Sequence, residues 1–203
     1  CQNAFRHLEE LTRFVKVLGT YPADGVLLPR TGAKEDTHGQ TYTRASPRAS
    51  PLRVGVIGFG TFGQFLSRRW VRRGHIVYAQ SRSDYSEVAA AMGVEYVQNP
   101  ADLISANLDV IVLCTSILSF EKVLRSLPAE LMKGRLVVDM LSVKGFAKTT
   151  MLKMLAPEVD VLCMHPMFGP ESGKEGWHGL PCVYEQVRTS DFHRCARFMS
   201  LFE

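Results

Sequence analysis

The residue pattern that most constrains this chain is a glycine turn set between a strand and a helix. The apolar, β-branched stretch 52–57 is typical of a buried strand. The sequence GFGTFG follows it directly, with glycines at Gly58, Gly60 and Gly63. The next residues carry apolar side chains at helical spacing up to Gly74, a residue that favours a helix end. Strand, glycine turn and helix in this order predict a dinucleotide-binding site.

Each glycine has a separate physical role in such a turn. Gly58 permits the tight turn, Gly60 lets the backbone approach the pyrophosphate, and Gly63 lets the helix pack closely against the strand. The free N–H groups and the positive dipole end of the helix then face the phosphates. A kinase glycine loop would be followed by another strand, so the helix argues against that class. We expect the whole turn to contact the cofactor, namely Gly58, Phe59, Gly60, Thr61, Phe62 and Gly63.

Composition sets the broad class of the protein and argues against several functions. The chain has 203 residues, of which 46% are hydrophobic and 22% charged, as in ordinary globular domains. Its net charge of +4 comes from scattered Lys and Arg residues, which argues against a nucleic-acid surface. No apolar run approaches the roughly 18 residues that a membrane span needs. The five cysteines lack CxxC pairs and no cluster has metal-ligand spacing, so we expect a reducing compartment and no metal.

The chain divides into an N-terminal extension, residues 1–51, and a nucleotide-binding domain, residues 52–203. Apolar side chains within 1–20 lie near one face of a predicted amphipathic helix, and the composition of 44–51 is that of a linker. Part of a transit peptide is an alternative interpretation of this extension. From residue 52 the pattern predicts an α/β domain with a doubly wound parallel sheet. Strands are predicted near 52–57, 75–80, 94–97, 109–114, 135–139, 159–163 and 181–184, and helices near 61–73, 84–92, 101–105, 116–127 and 145–155.

The end of the second predicted strand indicates which nicotinamide cofactor the site accepts. NAD sites usually place Asp or Glu there, to bind the ribose 2′-OH. Here Gln80 and Ser81 replace the acid, and Arg82 and Ser83 follow. A guanidinium at this position suits a 2′-phosphate, with the serine hydroxyls helping, so we expect NADP rather than NAD. The alternative is that Arg82 is an ordinary solvated charge, and Asp84 is interpreted as the N-cap of the next helix.

Two segments that follow predicted strands carry the candidate catalytic residues. His165 stands before a proline at the end of one strand, where its ring can be fixed beside the nicotinamide and can titrate near neutral pH. Ser142, after the preceding strand, can hydrogen-bond to that ring or to the substrate. Lys144 has two interpretations, a contact to the cofactor or a substrate carboxylate, and a solvated lysine at a helix start. The loop with Gly169 and Ser172 can close over the nicotinamide or form an ordinary glycine turn.

Five segments of the chain form a pattern that is more specific together than any one of them: GFGTFG from Gly58, SRSDY from Ser81, LCTSILS from Leu113, SVK from Ser142 and HPMFGPESGK from His165. In order and spacing they resemble the prephenate/arogenate dehydrogenase family, and most closely its plant-type arogenate dehydrogenases. The resemblance covers about residues 52–203. It implies that Cys114, Thr115 and Ser116 also line the cofactor site.

The resemblance implies a Rossmann domain that binds NADP and acts in tyrosine biosynthesis. Family members transfer a hydride from the C4 carbinol of a cyclohexadiene acid to the nicotinamide and release the C1 carboxylate as CO2. Arogenate then gives tyrosine, and prephenate gives 4-hydroxyphenylpyruvate. The resemblance assigns His165 as the acceptor of a hydrogen bond from the C4 hydroxyl and Ser142 as an orienting hydroxyl. It also implies a plastid location, with the cytoplasm as the alternative, and a homodimer for the full-length protein.

Family members continue into a helical domain that forms the dimer and supplies cations for the substrate carboxylates. The chain stops at Glu203 within a helical pattern, so we expect it to lack that domain and to bind NADP with little turnover. Two alternatives remain open: a catalytically inactive NADP-binding module, and another Rossmann-type hydroxyacid dehydrogenase or imine reductase. The segments around Ser142 and His165 argue against the second of these. No partner beyond the small-molecule substrate is expected, neither nucleic acid nor membrane.

Overall fold

The computed structural model describes residues 16–18 and 50–202, which form one eight-stranded sheet with helices packed against it. The strands follow the predicted order along the chain. Most of the predicted strand positions are confirmed to within one or two residues, and the last two strands extend three or four residues further. They are β1 (Lys16–Leu18), β2 (Arg53–Ile57), β3 (Ile76–Gln80), β4 (Glu95–Tyr96), β5 (Val110–Leu113), β6 (Leu136–Asp139), β7 (Asp160–Pro166) and β8 (Cys182–Arg188).

The strands lie in the order β1-β8-β7-β6-β5-β2-β3-β4. The prediction of a doubly wound parallel sheet is confirmed for β2 through β7, which pair in parallel with one another. It is wrong for β8, which runs antiparallel to β7. A parallel pair needs a crossover connection, usually a helix. The connecting segment 167–181 contains no helix, so the chain turns back at the same edge and β8 returns in the opposite direction.

The helices lie between the strands, and the predicted ones are confirmed with small shifts at their ends. A short helix was not predicted, because its four residues are too few to show helical periodicity. Among the described residues, no helix is long and apolar enough to cross a membrane. The helices are α1 (Thr61–Arg72), α2 (Ser86–Met92), α3 (Pro100–Ser105), α4 (Ile117–Ser126), α5 (Ala129–Met132), α6 (Lys144–Met154) and α7 (Phe192–Met199), the last followed by a 3₁₀ turn, Ser200–Phe202.

Alternating side chains of the central strands enter two separate hydrophobic cores. In β5, Val110 and Val112 belong to the core that holds Trp70 of α1. Ile111 of the same strand belongs to the core that holds Phe120 of α4. Because successive side chains of a strand point to opposite faces, the two cores cover the two faces of the sheet. This explains why the strand sequences are apolar throughout instead of alternating with polar residues.

The predicted helix over residues 1–20 is wrong at three of its positions. Lys16–Leu18 form β1, which pairs with β8 in antiparallel register, Leu18 opposite Cys182. The edge of β8 offers unpaired backbone N–H and C=O groups, which pairing with a further strand satisfies. This gain does not depend on the helical periodicity of the side chains in residues 1–20. The other residues of that predicted helix, and the predicted linker up to residue 49, lie outside the described residues.

The predicted cap at Asp84 is displaced by one residue. The N-cap of α2 is Tyr85, whose side chain makes no capping hydrogen bond. The Asp84 carboxylate instead accepts a hydrogen bond from the backbone N–H of Ser86, at 2.9 Å. At the other end of α2, Gly93 adopts a φ of +72°, as expected for a glycine that ends a helix. The loop between β3 and α2 is therefore held by its own side chains.

Candidate active site

Strand register brings the predicted functional segments to one edge of the sheet. Ile57 at the end of β2 pairs with Gln80 of β3 and with Leu113 of β5. Leu113 pairs with Asp139 of β6, and Asp139 pairs with Cys163 of β7. The carboxyl ends of these five strands therefore lie at the same level. Ligands of such sheets bind beyond this edge, and the segments singled out from the sequence all begin there.

The geometry of the glycine turn agrees with the role predicted for each glycine. Gly58 has a φ of +98°, and a Cβ added there would lie 2.5 Å from the carbonyl oxygen of Cys114. A Cβ on Gly63 would lie 2.3 Å from the carbonyl oxygen of Gly58, so α1 could not pack as closely on the turn. Around Gly60, in contrast, no atom lies within 4 Å of the Cβ position. That open space lies where a bound pyrophosphate would approach the backbone.

The N-terminus of α1 has the features of an anion-binding site. Its N-cap is Gly60, so no side chain caps the first turn, and the first turn carries no acidic residue. The Gln64 side-chain amide donates to the carbonyl oxygen of Phe59, at 2.9 Å, and so links α1 to the glycine turn. The backbone donors of the first turn are therefore left for a ligand, and the helix dipole favours a negative one. These features fit the pyrophosphate of a pyridine nucleotide.

A matched pair of alanine variants separates packing from cofactor approach in this turn. Gly60→Ala is expected to change the free energy of unfolding by less than about 1 kcal/mol, because the space is open, yet to weaken nucleotide binding. Gly63→Ala is expected to weaken nucleotide binding too, and in addition to lower the free energy of unfolding by roughly 1–3 kcal/mol, because its Cβ would clash with the backbone. Urea unfolding and a nucleotide titration measure the two effects. A Gly60→Ala protein that binds nucleotide normally would contradict the assignment.

Hydrogen bonds hold the backbone of the loop after β3, while the side chain of its arginine is exposed. The Tyr96 hydroxyl donates to the carbonyl oxygen of Ser83 at 2.7 Å and to that of Ser81 at 3.2 Å. The Tyr96 ring also packs against Phe59 of the glycine turn, with ring centroids 6.3 Å apart. Arg82 is exposed, and it has no hydrogen-bond or ion-pair partner among the described residues. A guanidinium on a fixed backbone beside the glycine turn can bind a phosphate with little loss of backbone entropy.

The residues after β5 offer a thiol and two hydroxyls beside the glycine turn. The backbone N–H of Cys114 donates to the carbonyl oxygen of Ile57 at 2.8 Å. Burial, with help from the charge of Asp139, raises the pKa of the Cys114 thiol to about 12, so it stays protonated. The buried hydroxyl of Thr115 has no hydrogen-bond partner among the described residues. Ser116 is exposed at the N-cap of α4, and its hydroxyl donates to that of Ser119.

His165 lies at the penultimate position of β7 and is half buried. Burial lowers the pKa of its imidazole, the nearby Lys144 ammonium lowers it further, and only Asp139 acts in the opposite direction. The ring is therefore neutral near neutral pH, the form that accepts a hydrogen bond. Ser142 is exposed on the loop between β6 and α6. Ser142 follows β6 and His165 lies near the end of the adjacent β7, at the edge that the glycine turn shares.

Lys144 is largely buried, which contradicts its interpretation as a solvated lysine. Its ammonium donates to the carboxylate of Asp139 at 2.5 Å and to the carbonyl oxygen of Met164 at 2.6 Å. The side chain ties α6 to the residue that precedes His165. Its contact to a cofactor or substrate carboxylate stays a prediction.

Asp139 lies beside the candidate site and was not singled out as a site residue from the sequence. It is fully buried, and it also accepts a hydrogen bond from the backbone N–H of Leu141 at 2.9 Å. Burial raises the pKa of its carboxyl group, and the Lys144 ammonium opposes that rise. A buried carboxylate persists only when it is paired and hydrogen-bonded. The available signal was a carboxylate that closes an apolar strand at the ligand-binding edge.

The loop that follows His165 packs against α1. The backbone N–H of Gly169 donates to the hydroxyl of Ser172 at 3.0 Å. Trp177 is buried between Phe168 and Phe65 of α1, with ring centroids 5.4 and 5.2 Å away. These ring contacts hold the loop against α1, and its closure over the nicotinamide stays a prediction. Among the described residues, no group of His, Cys, Asp and Glu has the arrangement of a metal site.

The sequence of this chain is similar to those of known dehydrogenases. Residues 63–178, more than half of the chain, match the family described as prephenate dehydrogenase, nucleotide-binding domain. The chain is 51% identical over 161 residues to arogenate dehydrogenase 2, chloroplastic, of Arabidopsis thaliana, covering 77% of this chain and 45% of the relative. It is 49% identical over 158 residues to arogenate dehydrogenase 1, chloroplastic, of the same plant, covering 75% and 25%. The chain thus spans less than half the length of these relatives.

Solved structures of imine reductases share the fold. One, from Myxococcus stipitatus in complex with NAD+, has a TM-score of 0.52 and 21% identity, and the match covers 60% of this chain and 43% of that one. Another, from Aspergillus terreus in complex with NADPH4 and dibenz[c,e]azepine, has a TM-score of 0.53 and 14% identity, covering 61% and 44%. At these identities the likeness concerns the fold alone.

Proposed function

The chain belongs to the prephenate dehydrogenase family through its nucleotide-binding domain, and on that premise we propose that the full-length protein is an NADP-dependent arogenate or prephenate dehydrogenase. One observation carries the proposal: a nucleotide-binding turn and a neutral, half-buried His165 lie at the same edge of one sheet. Rossmann-type sites bring cofactor and substrate together at this edge. The two Arabidopsis relatives are named for arogenate, which supports arogenate as the first substrate to test.

NADP is the proposed form of the pyridine nucleotide. The argument rests on Arg82, whose guanidinium is exposed and unpaired among the described residues, while its backbone is held by Tyr96. The place of an NAD-type carboxylate is taken by Gln80, whose amide donates to the carbonyl oxygen of Gln98 at 3.1 Å. The nearest carboxylate along the chain, Asp84, lies two residues beyond Arg82 and accepts a hydrogen bond from the backbone N–H of Ser86.

His165 is proposed to accept a hydrogen bond from the C4 hydroxyl of the cyclohexadiene acid and to take up its proton. When bound, the nicotinamide accepts the hydride from the same carbon. The exposed hydroxyl of Ser142 orients the ring or the substrate. Departure of the C1 carboxylate as CO2 leaves its electron pair in the ring as a phenolate, which takes the proton back from His165. Loss of CO2 and aromatisation make the overall step irreversible. His165 can hold the proton only if it begins neutral, and its burial beside Lys144 favours that state.

A plastid location and a homodimer are further parts of the proposal. The named relatives are chloroplastic, which supports the plastid. The homodimer and the cationic groups for the substrate carboxylates belong to the helical domain that the family resemblance implies.

Product identification tests the proposed function. The full-length protein is incubated with NADP and either arogenate or prephenate, and the products are separated by chromatography. Formation of tyrosine from arogenate, or of 4-hydroxyphenylpyruvate from prephenate, together with NADPH, is expected. If NADP binds but neither product forms, the inactive nucleotide-binding module becomes the better account. Turnover of imines alone would favour the reductase alternative.

The pair formed by Asp139 and Lys144 is expected to set the pH dependence of His165. Lys144→Met removes a positive charge that lowers the pKa of His165, so the imidazole pKa should rise. On acidification the variant should therefore lose activity at a higher pH than the wild type does. The pH profile of kcat/KM measures this shift. Lys148→Met is the matched control, because Lys148 lies one turn further along α6 and pairs with Glu185 at 2.5 Å. Equal profiles for the wild type and Lys144→Met would contradict the account.

Loss of Lys144 also leaves a buried carboxylate without its partner, which costs roughly 3–5 kcal/mol of stability. The double variant Asp139→Asn with Lys144→Met removes both charges and keeps the test usable if the single variant unfolds. In the double variant the two effects on His165 oppose each other, so its profile should lie between those of the wild type and the single variant.

A further inference from the structure

A basic groove lies between α1 and the segment 167–181. Its volume is about 490 Å³, within the range of small-molecule sites. No carboxylate is found among the described residues that line it. Its cationic side chains are Arg68, Arg69, Arg72, Arg73 and Lys174.

The groove extends well beyond the cofactor's expected phosphate position. Thr61, at the N-terminus of α1, lines one end of it. The helix then runs back from the ligand-binding edge of the sheet, and its rise places Arg72 roughly 16 Å along the axis from Thr61. A pyrophosphate bound at the first turn of α1 therefore does not reach the arginines at the far end of the groove.

Arg69 is held in place but incompletely satisfied. Its guanidinium lies over the ring of Trp177, 4.9 Å from the centroid. Its buried Nε atom has no hydrogen-bond partner among the described residues. Burial lowers the pKa of this guanidinium, and the charge of Arg73 lowers it further. A buried donor without a partner, next to a like charge, is costly unless an anion lies close by.

The other cations are either positioned by the fold or free. Arg73 donates to the carbonyl oxygens of Ser200 and Leu201, each at 3.1 Å, which fixes its guanidinium at the end of the groove. Arg68, Arg72 and Lys174 are exposed, and they have no hydrogen-bond or ion-pair partner among the described residues. Like charges four residues apart on a helix repel each other, so the array is unfavourable by itself.

We propose that this groove binds a small phosphate-bearing ligand with two or more negative charges, at a site separate from the cofactor. Guanidinium groups bind phosphate oxygens in pairs, and Arg68 and Arg72 lie on successive turns about 5–6 Å apart at Cβ. The partly buried ring of Phe65 lines the groove and offers a surface for an apolar portion of the ligand.

Calorimetric titration of the full-length protein tests the site. Saturating NADP is present throughout, so that the N-terminus of α1 is already occupied. Inorganic phosphate, inorganic pyrophosphate and phenyl phosphate are titrated separately, which distinguishes the free ion from a phosphate ester with an apolar ring. Pyrophosphate is expected to bind more tightly than phosphate, because it carries more charge across the arginines. Phenyl phosphate is expected to bind more tightly than phosphate, because its ring can lie against Phe65.

A charge-matched pair of variants makes the test specific. Arg68→Ala with Arg72→Ala is expected to weaken pyrophosphate binding by about tenfold or more, since two charge-assisted contacts are lost. The control, Lys122→Ala with Lys153→Ala, removes the same charge from exposed positions on α4 and α6. NADP affinity should be near normal in both double variants. Loss of pyrophosphate binding with normal NADP binding would therefore concern the groove alone and leave the proposed dehydrogenase function untouched.

Two results would overturn the proposal. Absence of pyrophosphate binding would mean that the groove is not an anion site in the full-length protein, including the case in which downstream residues fill it. Equal weakening in the two double variants would mean that general charge attraction, and not the groove, accounts for binding.

Discussion

Replacement of His165 by Asn in the full-length protein is expected to lower kcat by roughly 10²–10⁴-fold, while NADP affinity stays near normal. The amide has no basic nitrogen, so it cannot take the proton of the C4 hydroxyl as hydride leaves. Asn is close enough in size to fill the space of a half-buried ring at the end of β7. Initial-rate kinetics and a nucleotide titration on the same preparation separate the two quantities.

His75→Asn is a suitable control for this experiment. His75 is also half buried, and burial likewise lowers the pKa of its imidazole. Its Nδ1 atom accepts a hydrogen bond from the backbone N–H of Leu52 at 3.1 Å, at the opposite end of the strands from the candidate site. The control should lose some stability but keep its kcat. Wild-type turnover by His165→Asn would remove this residue from the mechanism, and a collapse of NADP affinity would assign it a structural role.

The pH profile of the wild type gives an independent measure of the same group. The folded-state pKa of His165 lies below its ordinary value of 6.5. The neutral, active form therefore persists at neutral pH, and kcat/KM should fall only when the pH drops through that lowered value. His165→Asn should lack this acidic limb.

Replacement of Arg82 by Ala is expected to weaken NADP binding by about 1.5–3 kcal/mol, or roughly 10–150-fold, and to change NAD binding little. The lost contacts are charge-assisted hydrogen bonds to the 2′-phosphate, which NAD lacks. The backbone of the loop should stay in place, because Tyr96 holds it through the carbonyl oxygens of Ser81 and Ser83. Titration of both nucleotides into both proteins gives the four constants required.

Arg125→Ala controls for the change in net charge. Arg125 is exposed on α4 and pairs with Glu121 at 2.6 Å, so its loss should leave both nucleotide affinities near normal. Equal weakening of NAD and NADP by Arg82→Ala would show that the arginine does not read the 2′-phosphate. A wild-type preference for NAD would show that the interpretation of residues 80–83 is wrong.

The glycine turn could be predicted from sequence because its geometry is local. Gly58 needs a positive φ and Gly63 needs the absence of a Cβ, and both demands arise within six residues of chain. Apolar runs such as that of β5 likewise predict strands covered on both faces. The order and position of the elements follow from such local signals.

Features that depend on distant partners could not be predicted in the same way. The inward turn of Lys144 depends on Asp139 and on the carbonyl oxygen of Met164, which tertiary packing brings together. The antiparallel direction of β8 depends on a helix-free connection, and the strand at Lys16–Leu18 depends on an edge far along the chain. Helical periodicity before residue 20 carried no information about that edge.

The most direct test of the account is a crystal structure of this protein with NADP bound. The account predicts that the pyrophosphate lies on the backbone N–H groups at the start of α1 and that the 2′-phosphate contacts Arg82. It also predicts that the nicotinamide lies beside His165, at the edge where the strands end. A pyrophosphate in the basic groove along α1, or a nicotinamide turned away from His165, would contradict it.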